Sequence, residues 1–176
     1  MGRAQIIHTL LMVVILLFTS YAILRSWFFL TDVVAKKDFM VSIVEAKDAI
    51  MKVCSEGKGY ERLRITVPRS SALIIYGCQE LGGARVEPKD GPPLELDKIK
   101  PIAEECAKAS SPEKTVMIIH ALVEKGGFLG LSKETKWRYQ SVLCGREFYG
   151  AAFGGGNYAA AVFAQEKTVF LRPEGG

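Results

Sequence analysis

Four cysteines and two histidines are the side chains in this sequence best suited to nucleophilic, redox or metal chemistry. Cys54, Cys78, Cys106 and Cys144 form an even set with no C-x-x-C pair and no histidine beside any of them. That spacing speaks against a zinc knuckle, a dithiol redox motif and c-type haem attachment. Two disulfides in an exported domain account for it better, with three pairings open; four buried free thiols in a cytosolic body are the other reading. His8 and His120 each lie in an apolar run, far apart in sequence, so both read as packed or interfacial histidines. The acidic pairs Glu104-Glu105 and Glu87 with Asp90 sit among lysines, as a solvated face does. No G-x-S-x-G, H-E-x-x-H, phosphate-loop or kinase motif is present. The expectation is therefore no catalytic residue, no cofactor and no metal site.

A second candidate is Phe148 to Gln165, FYGAAFGGGNYAAAVFAQ, which has no charge and is rich in Gly, Ala and aromatic residues. Its glycines fail the G-x-G-x-x-G order, which excludes a phosphate cradle. Two readings remain. Phe148, Phe153, Tyr158 and Phe163 form a contact patch against a membrane or a neighbouring subunit, or a glycine turn at 154–157 joins strands whose Ala and Phe face a core, the latter being favoured.

The elements that must position these residues begin with an apolar run. Ile6 to Leu24 (IIHTLLMVVILLFTSYAIL) carries no formal charge. As a helix it rises about 28 Å, close to the hydrocarbon thickness of a bilayer. Arg25 and Trp27 to Phe29 follow it, where a membrane interface favours aromatics and a snorkelling cation. The run predicts a transmembrane anchor. A cleaved secretory signal is the competing reading, with Arg3 as its basic start and Ser20-Tyr21-Ala22 as its cleavage site. The net charge of +4 divides unevenly: residues 1–37 carry +3 and the remainder +1. A nucleic-acid partner is not indicated by so neutral a body. With 49% hydrophobic and 24% charged residues, the chain is not intrinsically disordered.

Beyond the anchor, Phe39, Ile43, Ala46, Ile50 and Val53 alternate at spacings of four and three and predict an amphipathic helix closed by Gly57 and Gly59. It either continues the membrane helix as one rod or bends from it near Thr31-Asp32. Arg62 to Val67 and Ala72 to Tyr76 read as paired strands around Pro68. Glu80 to Leu96 reads as a Gly- and Pro-rich surface excursion, and Pro101 as the first turn of a helix to about Ala109. For 113–125 the flanking Ser111-Pro112-Glu113 and Gly126-Gly127 favour a helix, although TVMIIHALV suits a buried strand equally. Residues 132–144 read as a strand, and Tyr158 to Ala164 with Thr168 to Leu171 as a closing hairpin.

Gly2-Arg3-Ala4-Gln5 before the apolar helix resembles the site at which prepilin-type peptidases cut their substrates. With Ala46-Lys47-Asp48-Ala49-Ile50-Met51-Lys52-Val53-Cys54 and the strand Arg64-Ile65-Thr66-Val67-Pro68, residues 1–78 are similar to archaeal pilin-like membrane proteins. The resemblance implies a helix that anchors in the membrane or packs in a filament, a β-rich head outside, and no catalysis. The sequence thus predicts an α+β protein in three parts: a transmembrane helix over 1–31, an amphipathic stalk helix over 32–56, and an extracytoplasmic head over 57–176 with an antiparallel sheet and one or two helices. The expected partners are the lipid bilayer and other membrane or filament subunits. The expected role is a non-enzymatic surface or assembly protein, the alternative being a membrane-tethered enzyme or ligand-binding domain whose site is scattered in sequence.

Overall fold

The computed structural model describes residues 3–69, 71–81, 96–109, 111–126 and 132–174. The fold is α+β: a long N-terminal helix α1 (Arg3–Glu56) precedes a head of two four-stranded sheets with short helices. The chain divides into two compact units, Met1–Lys37 and Asp38–Gly176.

In the first unit α1 is long and apolar enough to cross a membrane, and none of its most apolar stretch is buried by protein. Three of its hydroxyl side chains are satisfied within the helix. The Thr19 hydroxyl donates to the carbonyls of Ile15 and Leu16, Ser26 to that of Ala22 and Thr31 to that of Phe28, each at 2.9–3.0 Å. Such back-bonding is what a hydroxyl needs where no water can serve it. At the polar end Lys36 pairs with Asp32 at 3.1 Å, one helical turn apart.

In the second unit the remainder of α1 is amphipathic, and Phe39, Ile43, Ala46, Ile50 and Val53 are all buried in the main core. Residues read from sequence as a stalk thus begin, at Phe39, the core of the head. Gly57 ends the helix at φ +68°, its N–H donating to Val53 O at 3.0 Å, a left-handed closure that glycine adopts without strain.

The strands are β1 (Tyr60–Val67), β2 (Ala72–Gly77), β3 (Thr115–Gly126), β4 (Ser132–Leu143), β5 (Glu147–Tyr149), β6 (Ala151–Phe153), β7 (Gly156–Gln165) and β8 (Thr168–Pro173). One sheet has the order β1-β7-β8-β5 and the other β4-β3-β2-β6. All pairs are antiparallel except β5 with β8. β1 and β2 therefore do not pair with each other as the sequence suggested. β1 joins β7 in the first sheet, and β2 lies between β3 and β6 in the second. The predicted β7–β8 hairpin is present.

Residues 113–125 do not form the helix that their flanks favoured. They make a one-turn 3₁₀ helix (Pro112–Lys114) and then β3, which pairs with both β2 and β4. The reason is burial on both faces of the sheet. Val116 and Ile118 enter the main core, while Met117 and Ile119 enter a second cluster. A strand covered on both sides loses its alternation and reads as a continuous apolar run. The cover on the second face is α2 (Cys78–Leu81) and α3 (Leu96–Lys108), which supply Cys78, Leu81, Ile102 and Cys106. α3 starts earlier than Pro101 implied; Pro101 lies exposed inside it and forgoes one helical hydrogen bond. Of the excursion read over Glu80 to Leu96, residues 82–95 lie outside the described residues.

The two sheets meet at Gly150, where the chain leaves β5 of one and enters β6 of the other. A Cβ on Gly150 would lie 1.6 Å from Ile75 O, so only glycine permits the crossing. The freed Gly150 N–H donates to Glu80 Oε2 at 3.0 Å.

Candidate functional site

The four cysteines form two disulfides, both within the head. Cys54 in the last turn of α1 joins Cys144 just after β4, and Cys78 joins Cys106, tying α2 to α3. They close stretches of 90 and 28 residues. Chain-entropy arithmetic gives about 4–5 and 3–4 kcal/mol respectively. The first pins the C-terminal end of α1 beside the mouth of β4. The second holds α3 over the second face of the β2–β3 sheet.

His8 is exposed on α1. His120 lies on β3 with 7% of its surface exposed, and neither ring nitrogen has a hydrogen-bond partner among the described residues. Its ring meets Phe39 edge to face at 6.1 Å. Burial lowers its pKa, and the guanidinium of Arg138, its cross-strand neighbour, lowers it further. This is a neutral packed imidazole. Glu104 and Glu105 are exposed on α3, while Glu87 and Asp90 lie outside the described residues.

One partly buried carboxyl stands apart. Glu80 has its pKa raised by burial, against the opposing pull of the N–H groups of Gly150 and Gly77. It also raises the pKa of Tyr76, whose own burial is the larger cause. Glu80 serves the backbone of the Gly150 crossing, so its perturbation has a structural account. Among the described residues no three His, Cys, Asp or Glu side chains come together as metal ligands. Two concavities of the head are shallow and edged by charge, one with Glu45, Asp48, Lys52 and Arg64, another with Lys114, Arg146, Glu147 and Lys167.

The aromatics read as a contact patch do not share a surface. Phe148 and Phe153 are fully buried in the main core, and Tyr158 packs on Phe153 at 5.2 Å from the same side. Phe163 alone faces outward. The cause is strand alternation: on β7, Tyr158, Ala160 and Val162 point inward, so Phe163 points to the other face. Gly154 and Gly155 join β6 to β7, whereas Gly156 and Asn157, which the favoured reading placed in the turn, already lie in β7 opposite Val67 and Thr66.

Phe163 is instead part of a row that sequence reading missed. The register places Tyr60, Phe163, Phe170 and Tyr149 opposite one another across β1, β7, β8 and β5. The rings of Phe163 and Phe170 stack at 5.5 Å, those of Phe170 and Tyr149 at 5.6 Å. The Arg172 guanidinium lies 5.0 Å from the Phe170 centroid. Beside Tyr60, the Glu174 carboxylate accepts from the Tyr60 hydroxyl and from Arg62 Nε at 3.3 Å. Those two contacts, Tyr60 foremost, hold the Glu174 pKa below its usual value. The signal was the alternation of YERLRITV and TVFLRP, whose outward positions carry aromatic rings and arginines.

The chain matches no family model, no curated protein and no solved structure.

Proposed function

We propose that this chain is a membrane-anchored, non-enzymatic assembly protein, a pilin-like subunit or a component of a membrane complex, with its head outside the cytoplasm. The observation that carries the reading is the surface of α1. Exposed apolar residues along it do not stop with the span, because Met40, Val41, Val44 and Met51 are all more than a third exposed on the side away from the head core. A helix that already buries one stripe and still shows a second apolar stripe has a further contact to make. The disulfides support export, since such bonds persist in oxidising compartments.

Thiol labelling of intact cells tests the topology. An impermeant maleimide is expected to label the head only after addition of reductant, without lysis. Free thiols shielded until lysis overturn the exported head. N-terminal sequencing of the membrane-bound protein adds the processing: an intact start or a cut near Gln5 keeps the anchor, and a cut after Ala22 removes it. A photo-crosslinking residue at Val44 is expected to capture a membrane-embedded neighbour, and its failure to do so counts against assembly through α1.

A further inference from the structure

At the end of the apolar run of α1 stands a cation with no carboxylate partner among the described residues. Arg25 follows the nineteen uncharged residues Ile6 to Leu24, and Asp32, the next charged side chain, is already paired with Lys36 at 3.1 Å. Arg25 and Asp32 are about 10 Å apart along the helix axis. Trp27, Phe28, Phe29 and Leu30 fill the interval, each more than half exposed. Aromatic residues gather at the headgroup level of a bilayer, so an arginine just before them lies at or beneath the plane of the lipid phosphates. Its side chain reaches back rather than forward: Arg25 Nη1 donates to the Tyr21 hydroxyl, one turn deeper, at 3.4 Å. Tyr21, Arg25 and Phe29 thus form one row at spacings of four. Beside it runs a shallow groove lined by Ala22, Arg25, Ser26, Phe29 and Leu30. Ser26 turns its hydroxyl into the helix, to Ala22 O, which leaves the floor of that groove small and without a free donor.

We infer that Tyr21, Arg25 and the groove beside them bind the phosphate of an anionic lipid headgroup, in the leaflet at the C-terminal end of the span. An arginine in apolar surroundings needs an anion. Between Arg3 and Asp32 the chain has no acidic residue, so a second copy alongside at the same depth supplies none. The lipid phosphate is the anion that a bilayer itself places at that level. A guanidinium presents parallel N–H donors to a phosphate, and Tyr21, whose oxygen accepts from Arg25, keeps its own O–H to donate to a further phosphate oxygen. The glycerol and the upper acyl chain then lie over Ala22 and Ser26, where the side chains are small. A headgroup with net negative charge is preferred, because a choline on the same headgroup competes with Arg25 for the phosphate. The inference rests on the membrane-anchored reading above.

The test uses the full-length oxidised protein carrying Trp137→Phe, which leaves Trp27, two residues from Arg25, as its sole tryptophan. The protein is reconstituted in vesicles of phosphatidylcholine and phosphatidylglycerol, one or the other brominated high on its acyl chains, and quenching of Trp27 measures which lipid stands beside it. Phosphatidylglycerol is expected to be preferred about fivefold, the factor for one basic residue near an anionic surface. Arg25→Gln is expected to bring the ratio to one. Arg25→Lys and Tyr21→Phe are each expected to lower it by about half, through loss of the fork and of the hydroxyl. All three positions are on the exposed surface of α1, and unchanged circular dichroism with intact disulfides verifies each fold. A starting ratio of one overturns the inference. So does a ratio that Arg25→Lys and Tyr21→Phe both leave unchanged, since plain attraction of charge then suffices. Loss of the preference in millimolar inorganic phosphate, against chloride at equal ionic strength, assigns the site to the free anion and overturns the lipid. Crosslinks from Val44 that vanish in Arg25→Gln, without any lipid preference, give the counter-charge to another protein and overturn it likewise. Absence of quenching by both lipids removes the anchored reading itself, whereas equal quenching by both leaves the anchor standing and removes this inference alone.

Discussion

The two sheets of the head share one core but are covered differently. The β1-β7-β8-β5 sheet buries one face and shows the other, and its strands keep the alternation of apolar and polar residues. The β4-β3-β2-β6 sheet buries β2 and β3 on both faces, between the main core and the α3 cluster. A strand of the first kind therefore tolerates change on one side of its pleat, whereas a strand of the second kind tolerates little on either. The outward side of the first sheet is where the chain can place aromatic rings and arginines without loss of its own packing.

The largest effect is expected where the two sheets are joined. Gly150→Ala puts a methyl group 1.6 Å from a main-chain oxygen that cannot yield without moving β2. The cost should exceed about 4 kcal/mol, seen as loss of the cooperative urea transition of the head by circular dichroism. A folded variant of near wild-type stability would refute the crossing. Next is the Cys78–Cys106 bond. Its replacement by alanines should cost about 3–4 kcal/mol. It should also loosen the cover over one sheet only, so hydrogen exchange is expected to quicken in β2 and β3 while β7 and β8 stay protected. Equal quickening in both sheets would erase the distinction between them.

Side-chain truncation compares the sheets directly. Ile119→Ala removes a fully buried side chain from the doubly covered sheet and should cost about 3 kcal/mol. Phe170→Ala removes a larger ring from the open face, yet its cost should be about 1 kcal/mol, mostly the lost stacking. Reversal of that order in chemical denaturation would show that the outer face is not open. An effect of similar size concerns the edge of the first sheet. The Ser42 hydroxyl accepts from Thr66 N–H at 3.1 Å and lies 3.4 Å from Arg64 O, so α1 caps the free side of β1. Ser42→Ala leaves that N–H unpaired and should cost about 1–2 kcal/mol, with faster exchange of the Thr66 amide as its local mark.

The same difference in cover decides what could be read in advance. α1 was legible because its apolar run carries no charge and because Phe39, Ile43, Ala46, Ile50 and Val53 keep one stripe. The β7–β8 hairpin was legible through its alternation about Gln165-Glu166-Lys167. β3 was not, because cover on both faces removes the period that separates a strand from a buried helix. Nor was the pairing of β2, since an all-apolar strand fits any neighbour. Four cysteines give no pairing until the fold brings Cys54 to Cys144 and Cys78 to Cys106. Phe163 was singled out with three other aromatics by proximity in sequence, whereas its partners Phe170, Tyr149 and Tyr60 are brought to it by register.

His120 shows what double cover demands of a polar side chain. It occupies a core position of β3 with no hydrogen-bond partner among the described residues, and faces Phe39 from α1, Leu73 from β2 and Arg138 from β4. Of these only Arg138 is charged; Lys136 lies one rung further along β4 on the same side, also a cation. The folded state therefore holds the imidazole neutral and its pKa below the ordinary value of 6.5. Above that pH both folded and unfolded chains carry a neutral ring, and His120 adds no pH dependence. As the pH falls below it the unfolded chain takes up a proton that the folded chain resists, so stability falls, until the folded pKa is passed and the loss levels off. His120→Leu keeps the volume and removes the proton site. Its stability in urea should match or exceed that of the wild type at pH 8, and the gap should widen in its favour toward pH 5. The open sheet has no counterpart to this residue, so a variant whose pH profile stays parallel to that of the wild type would place the acid sensitivity of the head elsewhere than in its doubly covered layer.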